Sequence, residues 1–245
     1  MATSTLPTIG IVGVTIPGAI DCINKINQKF HNYFTSHNHP NIILHQLNFG
    51  PTHQAQIQGQ WDIVENRLIA STTQLTKAGA DFIIIPANTV HKVINNIIKR
   101  TAIPVLSILD SVAAECKRLQ LKKVGILGTC WTMAERLYQQ TLELNGIVEI
   151  IPSPEEQKIV QKAIFAELIP KGEVQSTTLA SLLSIVESLK IRGCDAIILA
   201  CTELPLVLNC ENCQITTVDT SAILAESAVQ YARALITTLD YNLTN

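Results

Sequence analysis

The sequence contains an internal repeat, and this repeat constrains the fold more strongly than any other feature. The apolar, glycine-containing segment Thr8–Gly13 recurs as Lys123–Gly128. Ala87 lies 74 residues after the end of the first segment, and Cys201 lies 73 residues after the end of the second. Because the spacing is nearly constant, the chain is predicted to build two similar units rather than one continuous sheet.

Within each half, short apolar runs alternate with segments of helical periodicity. The predicted strands of the first half are residues 8–14, 41–47, 81–85 and 103–108. Helices are predicted between them because apolar side chains recur every three or four residues, as in residues 19–33. The polar segment 48–60 is predicted to be a loop that could close over a ligand. This alternation is typical of parallel sheets covered by helices.

The expected fold class is therefore α/β, with two pseudo-symmetric domains, each a parallel sheet covered by helices on both faces. We expect the first domain to comprise residues 1–107 plus 215–245, and the second to comprise residues 108–214. Open α/β sheets bind ligands beyond the carboxyl ends of their strands. The repeat predicts two such ends, at Ala87 and at Cys201, on opposite sides of one cleft, and we expect the active site in that cleft.

The composition narrows the class of partner to small molecules. The 18 Lys and Arg residues nearly balance the 20 Asp and Glu residues, and no basic run occurs, so nothing indicates binding to nucleic acid or to a membrane surface. No apolar run reaches the roughly 18 residues that a membrane span needs. Seven cysteines, an odd number, predict reduced thiols and a cytoplasmic location. The lone pair Cys210 and Cys213 is interpreted as part of a loop rather than as a zinc site.

Cys201 is the strongest candidate for a reactive side chain. It follows the apolar run 196–199, which is partly β-branched and comes after a turn signal, and which therefore predicts a buried parallel strand. Thr202 and Glu203 are suited to cap a helix whose first turn accepts Pro205. The N–H groups at such a helix start favour thiolate over thiol. The alternative, that Cys201 is a small buried residue like most free cysteines, stays open.

Three short segments occur at equivalent points of the repeat. They are Pro86-Ala87-Asn88-Thr89-Val90-His91, Gly125-Ile126-Leu127-Gly128-Thr129-Cys130-Trp131-Thr132 and Ala200-Cys201-Thr202-Glu203-Leu204-Pro205. Together they resemble the aspartate/glutamate racemase superfamily, and the aspartate racemases most closely, over nearly the whole chain. The resemblance implies a homodimer that racemises an acidic amino acid, in the first place aspartate, without a cofactor. One cysteine, as thiolate, would remove the α-proton, and a second cysteine, as thiol, would return a proton to the other face.

Such a reaction requires hydrogen-bond donors around the substrate's own carboxylate. Without pyridoxal phosphate, the negative charge that develops at the α-carbon must be stabilised there. Asn88, Thr89 and Thr202 lie at two predicted helix starts, where backbone N–H groups and side chains can both donate. The resemblance adds Thr129 and Thr132 to this carboxylate-binding set. The alternative for the last two is that they only cap the following helix.

A cation is also expected for the side-chain carboxylate of an acidic substrate. Lys171 occupies the family's lysine position, although an ordinary surface lysine would look the same in the sequence. The family often carries an arginine after its second strand, and here His53 is the nearest substitute. His91 follows the Asn-Thr pair as in the family, but a histidine in the first turn of a helix is more often structural. The choice between aspartate and glutamate therefore stays open.

Ala87 departs from the family pattern, because the first catalytic cysteine belongs at this position. A methyl group neither donates nor accepts a proton, so exchange between two cysteines is impossible in the chain as written. Three explanations are open: an engineered Cys-to-Ala form, another donor on that face such as Thr89 or a water, or a one-cysteine enzyme resembling arylmalonate decarboxylase. The non-enzyme alternatives are a carboxylate binder and a bilobal solute-binding module.

Overall fold

Two parallel four-stranded sheets form the framework of the protein. The computed structural model describes residues 6–33 and 39–243, with side chains up to residue 236. The chain separates into two compact units, Met1–Ile108 with Leu224–Asn245, and Leu109–Ile223. Each unit contains one of the sheets. Within the described residues, no helix combines the length and the apolar character needed to cross a bilayer.

The first unit is an alternation of strands and helices. Its elements are β1 (Thr8–Gly13), α1 (Ile16–Phe30), β2 (Asn41–Gln46), α2 (Phe49–Ile57), α3 (Trp61–Lys77), β3 (Phe82–Ile84), a 3-10 turn (Thr89–Val93), α4 (Ile94–Arg100) and β4 (Val105–Leu106). The strands pair in parallel in the order β2-β1-β3-β4. The central strands β1 and β3 are buried along nearly their whole length, as expected for a sheet covered on both faces.

The second unit repeats this arrangement. Its elements are α5 (Ile108–Arg118), β5 (Lys123–Gly128), α6 (Cys130–Ala134), α7 (Gln139–Glu143), β6 (Val148–Ile150), α8 (Pro154–Lys162), a π-helical turn (Ala163–Leu168), α9 (Ile169–Lys171), α10 (Ser176–Ile191), β7 (Ala196–Ala200), a 3-10 turn (Leu204–Leu206), α11 (Cys210–Cys213) and β8 (Thr216–Asp219). The strand order β6-β5-β7-β8 matches that of the first sheet. Helix α12 (Thr220–Leu243) then leads the chain back to the first unit. The predicted fold class, two pseudo-symmetric α/β domains with parallel sheets, is confirmed.

Matching hydrogen bonds at the beginning of the two sheets reflect the repeat. In the first unit, Asp81 Oδ2 accepts the backbone N–H of Thr8 at 2.6 Å. In the second unit, Asp195 Oδ2 accepts the backbone N–H groups of Lys122 and Lys123 at 2.7 and 2.8 Å. Each aspartate directly precedes one central strand and binds the start of the other. These contacts fix the register of β1 against β3 and of β5 against β7.

The predicted loop 48–60 is wrong over most of its length, because helix α2 occupies it. Asn48 caps this helix, and its side-chain oxygen accepts the N–H of Gly50 at 3.2 Å. Arg67, on α3, donates to the carbonyl of Asn48 at 2.9 Å and to the hydroxyl of Thr52 at 3.0 Å. The helix is therefore stabilised by a cap and by tertiary contacts that its own polar sequence does not reveal.

The chain returns to the first unit later than the predicted residue 215. Strand β8 pairs in parallel with β7, with Thr216 opposite Ala196, and so belongs to the second sheet. The observed units divide between Ile223 and Leu224 because this fourth strand completes the second sheet before the chain leaves it.

Cys210 and Cys213 begin and end the short helix α11 rather than lying in a loop. The side chain of Asn209 caps this helix by accepting the N–H groups of Glu211 and Asn212 at 2.9 and 3.0 Å. In the part of the chain that the structure describes, no three His, Cys, Asp or Glu side chains are arranged to hold a metal ion.

His91 connects the segment after β3 to the start of α5. Its buried ring accepts the backbone N–H of Ile108 at Nε2, at 3.1 Å, which leaves Nδ1 to donate to the carbonyl of Ala87 at 2.8 Å. Burial lowers the pKa of the imidazole to about 4, although the hydrogen bond to Ala87 opposes this effect. The neutral ring is thus a structural residue that holds the backbone of position 87.

Replacing His91 with glutamine should remove a pH-dependent part of the stability. The pKa of His91 in the folded protein lies below the ordinary histidine value of 6.5, so the contribution of the neutral ring is complete above pH 6.5 and is lost as the pH falls towards 4. The free energy of unfolding, measured with urea, should fall between pH 7 and pH 4 by about 3 kcal/mol more in the wild type than in His91→Gln. An equal fall in both proteins would contradict this assignment.

Candidate active site

The candidate residues of the second unit lie where two neighbouring strands end. β5 and β7 pair in parallel, and Gly128 lies opposite Ala200. Thr129 and Cys201 are the next residues along the chain, so they leave the sheet side by side. A Cβ on Gly128 would lie 2.8 Å from the carbonyl oxygen of Ala200, closer than real Cβ contacts allow. Glycine at position 128 therefore lets the two strand ends approach each other.

Thr129 and Thr132 form a buried hydroxyl pair after β5. Thr129 Oγ1 caps α6 by accepting the N–H of Thr132 at 3.3 Å, and the two hydroxyl oxygens are 3.2 Å apart. Capping, the alternative raised by the sequence, is therefore present. Capping uses only an acceptor position of the Thr129 hydroxyl, so it does not by itself exclude a role in carboxylate binding.

Cys201 contacts a carboxylate rather than the start of a long helix. Its side chain is 8% exposed, and Sγ donates to Glu203 Oε2 at 3.0 Å. The hydroxyl of Thr202 donates to the same oxygen at 2.8 Å. The segment that follows is the 3-10 turn Leu204–Leu206, which Glu203 precedes without a side-chain cap. The predicted capping role of Glu203 is wrong, because its carboxylate turns back to the thiol instead.

The surroundings of Cys201 favour the thiol form of its side chain over the thiolate form. Burial raises its pKa well above the ordinary cysteine value, and the negative charge of Glu203 raises it further. Hydrogen bonds from the backbone N–H groups of Glu203 and Thr202 lower the pKa, but by less. The sequence-based expectation of a thiolate is therefore not met. The N–H groups that motivated it are present, and burial and a neighbouring carboxylate outweigh them.

In the first unit, Ala87, Asn88 and Thr89 follow the end of β3. The backbone N–H of Ala87 donates to the carbonyl of Ile85 at 2.8 Å, and its own carbonyl accepts from His91. Asn88 is buried, and its side chain makes no cap hydrogen bond to the 3-10 turn that begins at Thr89. Asn88 therefore does not cap this turn, and its own backbone is already helical.

Lys171 is exposed at the end of α9, where Gly172, with a φ of 74°, ends the helix. Its positive charge contributes to a lowered pKa of the Glu167 carboxyl, for which the N–H of Gln175 and the hydroxyl of Thr178 are larger causes. The alternative of a surface lysine agrees with this exposure.

His53 lies on α2 and not in a loop. Its ring stacks on Phe49, with ring centroids 5.2 Å apart and an interplanar angle of 21°. Thus His53 shares a unit with Ala87, Asn88 and Thr89, while Lys171 shares a unit with Cys201. Of the predicted residues in the second unit, Thr129, Thr132, Cys201 and Thr202 gather at adjoining strand ends, and Lys171 lies on a separate helix.

Sequence reasoning missed two side chains at the strand ends. The sequence suggested only a helix-capping role for Glu203, although a side chain two residues after Cys201 can contact the thiol directly. Ser107 is the buried residue that precedes α5, 20 residues after Ala87, just as Thr220 begins α12, 19 residues after Cys201. The predicted strand 103–108 concealed this position, because β4 ends at Leu106 and α5 already begins at Ile108.

Comparison with known proteins agrees with these features. The sequence model of a family described as Asp/Glu/Hydantoin racemase matches residues 11–228. RacX of Bacillus subtilis (strain 168), a broad specificity amino-acid racemase, is 33% identical over 168 residues, which cover 69% of this chain and 72% of RacX.

Solved structures with this fold cover almost the whole chain. A candidate Asp/Glu racemase from Yersinia pestis is 30% identical, with a TM-score of 0.85, over 92% of this chain and 99% of that one. An aspartate racemase homologue from Pyrococcus horikoshii OT3 is 29% identical, with a TM-score of 0.80, over the same shares. The resemblance inferred from the three short segments is confirmed. The duplicated sheets, the residues at their strand ends and the family match over most of the sequence together establish that this chain belongs to the Asp/Glu/hydantoin racemase family.

Proposed function

We propose that this protein acts on the α-carbon of an acidic amino acid, in the first place aspartate, without a cofactor. In its complete form the reaction is a racemisation by two cysteines, of which this chain supplies only the second, Cys201. Ala87 takes the place of the first, so the chain as written lacks two-sided proton exchange. The observation that carries this proposal is that Cys201 follows β7 beside two buried threonine hydroxyls, in a chain of the racemase family.

The polar residues after the strands are suited to hold a carboxylate. Removal of an α-proton places negative charge on the adjoining carboxylate, and fixed donors stabilise that charge best where water is excluded. Thr129, Thr132 and Thr202 in the second unit, with Asn88 and Thr89 in the first, are proposed to supply those donors. Thr129, Thr132 and Asn88 are buried, which agrees with fixed rather than mobile donors.

Side-chain recognition is proposed to depend on Lys171 and His53. Lys171 is exposed, so it can contact a ligand without first losing a buried partner. Its charge acts on Glu167, which is also influenced by Lys162. His53 lies in the second turn of α2, after β2, where the family often carries an arginine. The homodimer and the cytoplasmic location implied by the sequence stay predictions.

A single cysteine can still exchange a proton on one face of the substrate. If Cys201 removes and returns the α-proton, the configuration is retained and solvent hydrogen enters the molecule. A one-cysteine enzyme that protonates an enediolate is the second candidate, favoured by the methyl group at Ala87 and by the raised pKa of the buried Cys201 thiol. A carboxylate binder without turnover is the third.

Incubation in deuterium oxide should label the α-position of only one enantiomer of aspartate. The label is expected because Cys201 is the one member of the proposed pair that can exchange a proton, and a single group exchanges on one face of the α-carbon, whereas Ala87 offers no acid or base. Mass spectrometry of the recovered L- and D-aspartate measures it. Cys201→Ser should abolish the label, whereas Cys194→Ser, another buried cysteine of the same unit, should not. Label in neither enantiomer would instead support the carboxylate binder.

Ala87→Cys should restore racemisation. A second thiol completes the pair of acid and base groups, and a positioned group of this kind contributes about 100-fold or more to the rate. Formation of D-aspartate from L-aspartate, followed by chiral chromatography, is the measurement. Ala87→Ser, which adds only a weakly acidic hydroxyl, is the matched control. If Ala87→Cys racemises neither aspartate nor glutamate, the one-cysteine and binding alternatives replace this proposal.

Lys171→Met should weaken binding of aspartate by about tenfold or more, because a hydrogen bond to a charged group is lost. Binding of alanine, which lacks the side-chain carboxylate, should change little. Isothermal titration calorimetry measures both affinities. Lys162→Met is the matched control, since this lysine is also exposed and also acts on Glu167. An equal loss for alanine and aspartate would remove Lys171 from side-chain recognition.

A further inference from the structure

Cys201 and Glu203 form a closed, buried pair. The thiol donates to Glu203 Oε2 at 3.0 Å, and the hydroxyl of Thr202 donates to the same oxygen at 2.8 Å. Glu203 is only 4% exposed. Its other oxygen, Oε1, is buried and has no hydrogen-bond partner among the described residues. The carboxylate is thus held from one side, by two donors of the same loop.

Two buried glutamates of the second unit, Glu149 and Glu203, each have one oxygen without a hydrogen-bond partner among the described residues. The other oxygen of Glu149 accepts from the guanidinium of Arg136 at 2.8 Å, as in an ordinary structural ion pair. The other oxygen of Glu203 accepts instead from the thiol of Cys201. What distinguishes Glu203 is therefore the group that it binds, and not its unpartnered oxygen.

Two further titratable groups lie at the ends of the strands that pair with β7. Asp219, at the end of β8, accepts the N–H of Ala222 at 3.0 Å, in the first turn of α12. Cys130, after β5, has a raised pKa because of its own burial, with a smaller effect of Glu135. Within the second unit, Glu203 is the charged group among the described residues that acts on the Cys201 thiol.

We propose that Glu203 is a positioning residue that holds Cys201 in its thiol form, so that Cys201 enters the reaction as a proton donor. The catalytic meaning of this inference rests on the function proposed above. In the hydrogen bond between the two side chains the sulfur donates and Oε2 accepts, so the proton of the pair lies on sulfur. A thiolate would place a second negative charge 3.0 Å from Oε2 at a buried position, where the repulsion is weakly screened.

The proton balance of the step is simple. When Cys201 protonates a substrate carbanion, the S–H bond breaks, its electron pair stays on sulfur, and a C–H bond forms at the α-carbon. The thiolate so formed is destabilised by Glu203 and recovers a proton from water, leaving hydroxide to the solvent. The reverse step, removal of an α-proton by Cys201, needs the same disfavoured thiolate, so Glu203 slows it.

Glu203→Gln should release this control. Glutamine keeps the size and an acceptor oxygen but not the charge, so the thiolate fraction of Cys201 should rise by about tenfold or more at a given pH below the thiol's pKa. Alkylation by iodoacetamide, which requires thiolate, is measured by mass spectrometry on the peptide that contains Cys201. The readout is the ratio of the Cys201 rate to the Cys194 rate in the same molecule, because general opening of the unit would raise both.

Two further variants and one activity measurement complete the test. Glu203→Asp keeps the charge and should stay near the wild-type ratio, and so should Glu149→Gln, which removes another buried carboxylate of this unit. Deuterium uptake into aspartate should rise in Glu203→Gln in parallel with alkylation. An unchanged ratio in Glu203→Gln overturns the inference, and a lowered ratio overturns it in favour of Glu203 as the base that accepts the thiol proton. The alkylation ratio is measured without substrate, so it tests the role of Glu203 independently of the proposed function. The proposed function itself fails if aspartate gains no deuterium in the presence of the wild-type protein.

Discussion

Parallel pairing of two buried central strands is the constraint on which this protein depends. In each unit, a strand buried along its length needs a neighbour in register on both sides, and a parallel sheet places all carboxyl ends at one edge. The polar residues that follow those strands are therefore gathered whatever their own preferences are. Thr129 and Cys201 are neighbours because Gly128 and Ala200 are paired, and not because the two side chains bind each other.

Much of this arrangement is predictable from the sequence, because it follows from apolar patterning. The glycine-containing strands, the alternation with helices and the position of Cys201 after a buried strand all follow from local signals and from the repeat. Helix α2 was missed because its stabilising contact comes from Arg67, 15 residues beyond Thr52, and because its buried residues include the polar Thr52 and Gln56 while the apolar Ile57 is exposed. The start of α5 was missed because strand β4 has only two residues.

The charge state of the thiol was not predictable in the same way. A strand end next to a predicted helix start indicates partial positive charge from free N–H groups. Backbone N–H groups do lower the pKa of Cys201, as that pattern predicts. The direction in which Glu203 points decides the outcome, and that direction depends on a 3-10 turn of three residues rather than on a longer helix. Position 87 shows a similar limit. The sequence reveals the methyl group of Ala87, but the buried His91 that holds its carbonyl emerges only from the folded chain.

The aspartates at positions 81 and 195 have a consequence for how such a protein changes over time. They anchor the amino ends of the central strands, whereas the residues proposed for chemistry follow the carboxyl ends of the same strands. Alignment of each sheet is thus secured at the edge remote from the reactive groups. A side chain at the opposite edge can therefore be replaced without breaking the hydrogen bonds that align the strands, so the chemistry there can vary separately from the scaffold.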